Sequence, residues 1–334
     1  MINRVSIKTK KVKWGIAGCG RVTENTFIPA LTVSRKGKLV SLYSRDITRA
    51  KSLAEKFGAQ SFYNDYNDFL KSDIDIVYVA SENSRHHGQV IEAAKAGKHI
   101  LCEKPMALTS EQAEEMVQVC KANNVYLAIN YPHRFHPLVV KARELIRDQK
   151  LGKLVSISLN FNTDFPPSSN YRFNKALSGG GALRDLGTHM IDVLRFLGGE
   201  ISEIDGVIDN LVYQGEVDDF SMGTVKFVKE GYGIFNVSFN SGKAFNRIEI
   251  VCHKGSMSIE NLIGKKLVAP KLTILLEGEA KKAFRKRGNK QLFLLRSLHK
   301  SLIRNEEPLI KGDDGLVNMK LMEELERKCL SKKS

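Results

Sequence analysis

The apolar positions of this chain follow two rhythms, and the change between them falls near Gly152. Before it, short runs rich in Val, Ile, Leu and Tyr occupy residues 12–17, 39–43, 76–80, 99–101 and 125–129, each of strand length. Between them, residues 48–57, 84–96 and 110–122 carry helix-like patterns. Strand and helix alternating at this spacing predict a doubly wound parallel sheet with helices on both faces.

After Gly152 the period is two. Val155, Ile157, Leu159 and Phe161 alternate with Ser156, Ser158, Asn160 and Asn162, and the alternation returns at Phe235, Val237 and Phe239 and at Ile248, Ile250 and Cys252. Strands of this kind bury one face and leave the other polar, as antiparallel sheets do. Val155, Ile157, Leu159 and Phe161 are therefore expected on one side of a strand. A helix over 181–197 interrupts the region, and a last helix starts near Asp314. The expected fold class is α/β: a doubly wound parallel sheet over residues 1–130, then an α+β domain with an open, largely antiparallel sheet over 131–334.

Composition supports two domains, because 334 residues exceed the size at which one core stops growing. With 42% hydrophobic and 27% charged residues the balance is that of a soluble globular protein. No stretch approaches the roughly 20 apolar residues of a membrane helix, and the first residues lack the apolar core of a secretion signal. No membrane association and a cytoplasmic location are expected. The scattered Cys19, Cys102, Cys120, Cys252 and Cys329 have no metal-type spacing. They read as reduced and mostly buried, and no metal site is expected. A net charge of +15 raises the question of nucleic acid. Yet the densest basic groups are peripheral: Lys8, Lys10, Lys11 and Lys13, then Lys281, Lys282, Arg285, Lys286 and Arg287. Solvated surface charge is the expectation, with a positive potential that draws in anionic cofactors or substrates.

Candidate chemistry clusters in four places. The first strand runs into Gly18-Cys19-Gly20-Arg21-Val22-Thr23. Gly18 permits a tight turn, Gly20 lets backbone approach a pyrophosphate, and the helix opening at Arg21 and Val22 offers amide hydrogens. The second strand ends in Ser44-Arg45-Asp46, where a carboxylate would bind the ribose of NAD and an Arg would meet the extra phosphate of NADP. Ser44 and Arg45 favour NADP over NAD. Alternatively Arg45 is a surface charge and Asp46 caps the next helix. Glu103-Lys104-Pro105 follows the fifth strand, at the sheet edge where ligands lie. Last, Gly179-Gly180-Gly181 precedes Asp185 and His189, four apart on a helix, with Asp192 beyond. A carboxylate beside an imidazole suits general acid–base work, and the glycines let backbone come close to something.

Taken together these residues resemble the glucose-fructose oxidoreductase / inositol dehydrogenase / MocA family over nearly the whole length. The resemblance rests on Gly18-Cys19-Gly20, Glu103-Lys104-Pro105, Arg134-Phe135 with Pro137, Tyr171-Arg172, and 179–189. His86 also matches a family position, and the usual Thr-Pro-Asn before it has become Ser81-Glu82-Asn83. The resemblance implies a Rossmann-type first domain that binds cofactor through Gly18, Gly20, Arg21, Val22, Ser44, Arg45, Ser81, Asn83, His86, Glu103 and Lys104. It implies a cis bond between Lys104 and Pro105. It implies that Lys104 and His189 act at the reacting carbon with help from Asp185, and that Arg172 joins Lys104, Asp185 and His189 in binding substrate.

The activity so implied is NAD(P)-dependent oxidation or reduction of a sugar, inositol, nucleotide sugar or related polyol. A redox-neutral glycosidase that keeps its cofactor, and a non-catalytic cofactor-binding regulator, are the rivals; intact Lys104, Asp185 and His189 argue against the regulator. The expected partners are a small sugar-like substrate and further copies of the chain, as a homodimer or homotetramer through the second-domain sheet, without nucleic acid or membrane.

Overall fold

A computed structural model describes residues 11–244, 246–263 and 268–332. Lys8, Lys10 and the start of the expected 1–130 domain lie outside the described residues. The chain forms two compact units. The first comprises Met1–Pro132 with Asn289–Met319, and the second His133–Gly288 with Lys320–Ser334.

In the first unit six parallel strands, β1 (Val12–Ala17), β2 (Gly37–Tyr43), β3 (Ser61–Tyr63), β4 (Ile76–Val79), β5 (His99–Cys102) and β6 (Leu127–Ile129), lie in the order β3-β2-β1-β4-β5-β6. The order reverses between β1 and β4, so the crevice for a ligand opens at the carboxyl ends of those two strands. Every residue of β4 and β5 is buried, which is why both read as unbroken apolar runs. The helices between strands are capped by the residues their sequence offers. Asp46 accepts from the amides of Thr48 and Arg49 at the start of Ile47–Phe57, and Gly58 ends that helix in the left-handed region at φ 71°. Thr109 caps Ser110–Ala122 through the amide of Gln112. The three-residue β3 was too short for the apolar pattern to declare.

The single cut expected near residue 130 misses one segment. Helix Lys290–Arg304 belongs to the first unit, burying Leu294, Leu295, Leu298 and Leu302. An amphipathic stripe shows that a helix packs, but not what it packs on. Here the partner is β1: Trp14 Nε1 donates to His299 Nε2 at 2.9 Å, and His299 Nδ1 lies 3.0 Å from Ser34 Oγ.

Among its described residues the second unit holds eight strands: β7 (Leu154–Asn162), β8 (Ile201–Asp209), β9 (Phe220–Phe227), β10 (Tyr232–Ser238), β11 (Arg247–Cys252), β12 (Gly255–Glu260), β13 (Lys271–Leu276) and β14 (Lys282–Arg285). Their order is β14-β13-β12-β11-β7-β10-β9-β8, open at both ends. Among the described residues β7 with β10 is the one parallel pair, and the rest are antiparallel. Ile157, Leu159, Phe235, Val237, Ile248 and Ile250 are fully buried on the face that meets helix Thr188–Gly198. Val155 departs from the expected side. The β7–β11 register skips it between Ser156 and Leu154, so it bulges out and is 49% exposed. The outer face carries Val207, Met222, Tyr232, Ile234 and Val251, all exposed. Edge strand β14 holds Lys282 and Arg285, charges that blunt pairing with another edge. The last helix, Gly312–Ser331, starts two residues before the expected Asp314 and contributes to both units.

Burial pushes the His299 imidazole down to about 4. Between the ordinary value near 6.5 and 4, only the unfolded chain takes up the proton, so this contribution is complete above pH 6.5 and falls as pH drops. Wild type should lose about 2 kcal/mol between pH 6.5 and 5 that His299→Gln does not lose. Urea unfolding at both pH values checks this; equal losses in both proteins would contradict it.

Candidate active site

The turn after β1 is set by sterics. Gly18 has φ 114°, and a Cβ there would stand 2.4 Å from Ala80 O and 2.6 Å from Ser81 N. Gly18 N also donates to Tyr43 O at 3.0 Å, so this turn is fastened to the ends of β2 and β4. Gly20 differs: it is exposed, and a Cβ there would meet nothing within 4 Å. The helix that follows begins at the exposed Arg21 and Val22 and contains a π-helical turn, Thr23–Phe27. Thr23 Oγ1 donates to Gly18 O at 2.7 Å, which gives the third small position a structural use. Cys19 is buried and its thiol is pushed up to about 11, so it stays protonated at neutral pH.

At the end of β2 the Asp46 carboxylate is engaged in capping its helix. Ser44 Oγ accepts from Asp46 N at 3.2 Å. Arg45 is exposed, and its Nη2 lies 2.9 Å from Glu82 Oε2. Beyond β4, Ser81 Oγ donates to Gln89 Oε1 at 2.6 Å, and Asn83 is buried as the first residue of helix Asn83–Lys95. His86, expected against the cofactor, is instead fully buried. Its Nδ1 is 2.9 Å from Pro105 O and its Nε2 faces Ser81 O at 3.2 Å, so the ring presents no open edge. Burial pushes its pKa down. The neutral ring has one N–H, and the shorter contact fits donation from Nδ1 to Pro105.

The Lys104–Pro105 bond is cis, as expected. The carboxylate just before it is held from several directions. Glu103 Oε1 accepts from the hydroxyl of Tyr78 and from Asn130 Nδ2 at 2.5 Å, and Oε2 accepts from Lys104 N at 3.2 Å. Asn130 in turn exchanges amide bonds with Gln291, at 3.3 and 2.9 Å. Tyr78 stacks on Phe27, ring centroids 3.7 Å apart. Glu103 thus fixes the loop that presents Lys104, a use its place in the motif did not disclose.

In the second unit the glycine run meets protein. A Cβ on Gly181 would stand 1.9 Å from Asp218 O, so the close approach expected here is to the Asp218 backbone. Asp218 caps the following helix: Oδ1 accepts from Gly181 N at 2.7 Å and Oδ2 from Leu183 N at 2.8 Å. The segment Leu183–Gly187 is a π-helical turn, and Thr188–Gly198 continues as α-helix. The widened turn replaces the regular spacing assumed for Asp185 and His189; such turns recur at functional sites. Asp185 Oδ1 is 3.4 Å from Arg172 Nε, so these two expected site residues do meet. The His189 ring packs edge-on against His133, centroids 5.0 Å apart. Asp192 is withdrawn from such a group: fully buried, it forms a fork with Arg134, Oδ1 to Nη2 2.6 Å and Oδ2 to Nε 2.8 Å. Arg184 likewise pairs with Glu326.

Asp218, Tyr78, Asn130 and Gln291 escaped the sequence reading, because nothing in an isolated Asp, Tyr or amide marks a long-range partner. Among the described residues no group of three or more His, Cys, Asp or Glu is arranged to hold a metal ion, and no helix is long and apolar enough to cross a membrane.

A parallel sheet of this order, with a glycine turn at its switch point, is the arrangement of a dinucleotide-binding domain. The chain belongs to the Gfo/Idh/MocA family: residues 12–131 match its oxidoreductase, NAD-binding Rossmann domain and residues 139–258 its C-terminal domain. It is 27% identical to 1,5-anhydro-D-fructose reductase of Ensifer adhaerens, covering 91% of this chain and 92% of that one. Aldose-aldose oxidoreductase from Caulobacter crescentus, solved with glycerol, superposes with a TM-score of 0.89 at 26% identity over 96% and 98% of the two chains. Levoglucosan dehydrogenase, solved with NADH and levoglucosan, shares the fold at 20% identity, with a TM-score of 0.88 and 96% and 98% coverage.

Asp192→Ala should leave the Arg134 charge buried without its fork and cost about 3–5 kcal/mol. Denaturant unfolding measures it, and a loss below about 1 kcal/mol would mean that the pair does not hold this helix.

Proposed function

We propose that the protein is a dehydrogenase or reductase that moves hydride between NADP and the CH–OH carbon of a sugar, inositol, nucleotide sugar or related polyol. The observation that carries this is the glycine turn at the switch point: Gly18 is pressed against β4, and Gly20 is open where a pyrophosphate would lie. The relatives support the substrate class, since their names describe a reductase of anhydrofructose and oxidoreductases of aldoses and levoglucosan.

Gly18, Gly20 and the amides opening the helix at Arg21 and Val22 would hold the pyrophosphate. Ser44 and Arg45 would meet the adenosine ribose and its phosphate, with Ser81 and Asn83 along the same rim. His86 and Glu103 act one step back, by fixing the loop that carries Lys104. When bound, the nicotinamide accepts or returns the hydride. In oxidation His189 takes the hydroxyl proton, and Lys104 donates a hydrogen bond to the same oxygen, stabilising its developing negative charge. Asp185, its charge balanced by Arg172, assists His189 and helps place the substrate. Reduction reverses these steps. The exposed apolar face of Val207, Met222, Tyr232, Ile234 and Val251 supports a homodimer or homotetramer built through this sheet.

NADP is favoured because Asp46 is occupied as a helix cap while Arg45 stands exposed at the strand end. An arginine fork suits a phosphate, whereas a carboxylate there would repel it. Ser44→Asp combined with Arg45→Ala should turn selectivity towards NAD, chiefly by weakening NADP. Calorimetric titration of both cofactors tests this, and tighter wild-type binding of NAD would contradict it.

A panel of sugars and nucleotide sugars with both cofactors, followed by the absorbance of reduced nicotinamide, tests the reaction. A redox-neutral glycosidase would turn over without net change in that signal. With the substrate found, His189→Ala should lower turnover by about 10²–10⁴-fold. Near-native turnover at neutral pH would remove His189 as the base.

A further inference from the structure

Glu82 stands where the family resemblance places a proline, and its carboxylate has an unusual use. It occupies the N-cap of Asn83–Lys95 with extended backbone, φ −64° and ψ 146°, yet makes no capping bond. The shorter Asp, Asn, Ser and Thr are the residues that cap through their side chains, so the Glu82 carboxylate is left for other partners. Glu82 Oε2 lies 2.9 Å from Arg45 Nη2 and 3.4 Å from Arg85 Nε.

The pair joins the ends of the two strands that flank β1. The turn at Gly18 is bonded to Tyr43 at the end of β2 and pressed against Ala80 and Ser81 at the end of β4. Arg45, just beyond β2, and Glu82, just beyond β4, therefore reach each other from either side of the glycine turn. In a sheet of this order the adenosine half of a dinucleotide lies at the end of β2. A 2′-phosphate and the Glu82 carboxylate are both anions suited to the same guanidinium fork. NAD has hydroxyls there and no such need of Arg45.

We infer that Glu82 is a specificity-determining residue: it competes with the 2′-phosphate of NADP for Arg45 and so narrows the preference for NADP over NAD. The inference rests on the cofactor reading proposed above. The Arg45 side chain is 56% exposed and that of Glu82 25%, so the competition is modest and screened by salt. It shifts affinity by about 2- to 5-fold, the range of exposed ion pairs.

Glu82→Gln keeps the size of the side chain and removes its charge; Glu82→Ser, a residue suited to an N-cap, is the second variant. NADP and NAD are titrated by fluorescence and calorimetry into wild type, both variants, Arg45→Ala and the Glu82→Gln/Arg45→Ala double variant. Both Glu82 variants should tighten NADP by about 2- to 5-fold, with NAD changed less than about 2-fold. The gain should vanish in the Arg45→Ala background and shrink at high salt. An unchanged NADP-to-NAD ratio, equal tightening of both cofactors, or an equal gain without Arg45 overturns the inference while leaving the cofactor reading intact. A wild-type protein that binds neither nucleotide overturns that reading itself and this inference with it.

Discussion

The carboxylate of Asp218 lies under the first turn of the helix that carries Asp185 and His189, and the order of that region depends on it. Burial pushes its pKa up, while the amides of Gly181 and Leu183 favour the charged form. The Ala182 amide adds a bond to the Asp218 carbonyl at 2.9 Å. Three successive groups at a helix start are thus met by one residue, where orphan amides would otherwise be left unsatisfied. Gly181 must be glycine for this to happen, since the Asp218 backbone fills the space of a side chain. The neighbouring Asp219 does similar work for the loop after β8, accepting from the amides of Leu211, Val212 and Tyr213, each at 2.8 Å. Tyr213 then donates to Asp164 at 2.8 Å, which steadies the start of the 164–170 loop.

The same economy governs the first unit. Glu103 collects donors from Tyr78, Asn130 and the Lys104 backbone, and His86 donates to the Pro105 carbonyl. Lys104 is therefore presented by a loop whose backbone is fixed on both sides of its cis bond. A binding or proton-transfer group gains from this, because a side chain aimed before the substrate arrives loses less freedom on binding. Several of the acids that looked chemical in the sequence serve as scaffolding: Glu103 and Asp192 anchor backbone or helix, and Asp46 caps a helix.

Features controlled by local sterics or by period were legible. Gly18 could be read because a tight turn at φ 114° requires the absence of a side chain. The buried face of β7, β10 and β11 followed from alternation alone. Long-range matters were not legible. The bulge at Val155, the π-helical turn before Thr188, the return of Lys290–Arg304 to the first unit and the Arg134–Asp192 fork all depend on partners distant in sequence. His86 illustrates the limit: a motif position draws attention to a residue, while only its burial and its contact with the Pro105 carbonyl show how it is used.

Hydride transfer between a nicotinamide and a carbon of a sugar-like molecule is the reaction proposed for this chain. Its most direct measurement uses NADPH or NADH carrying deuterium at the transferable position of nicotinamide C4, incubated with the protein and a panel of keto sugars and nucleotide keto sugars. Products are read by mass spectrometry and proton magnetic resonance. Hydride transfer leaves deuterium bound to the carbon that has become CH–OH, at a position that does not exchange with water. Turnover to a product with no deuterium on carbon, and with the labelled cofactor recovered unchanged, would contradict it.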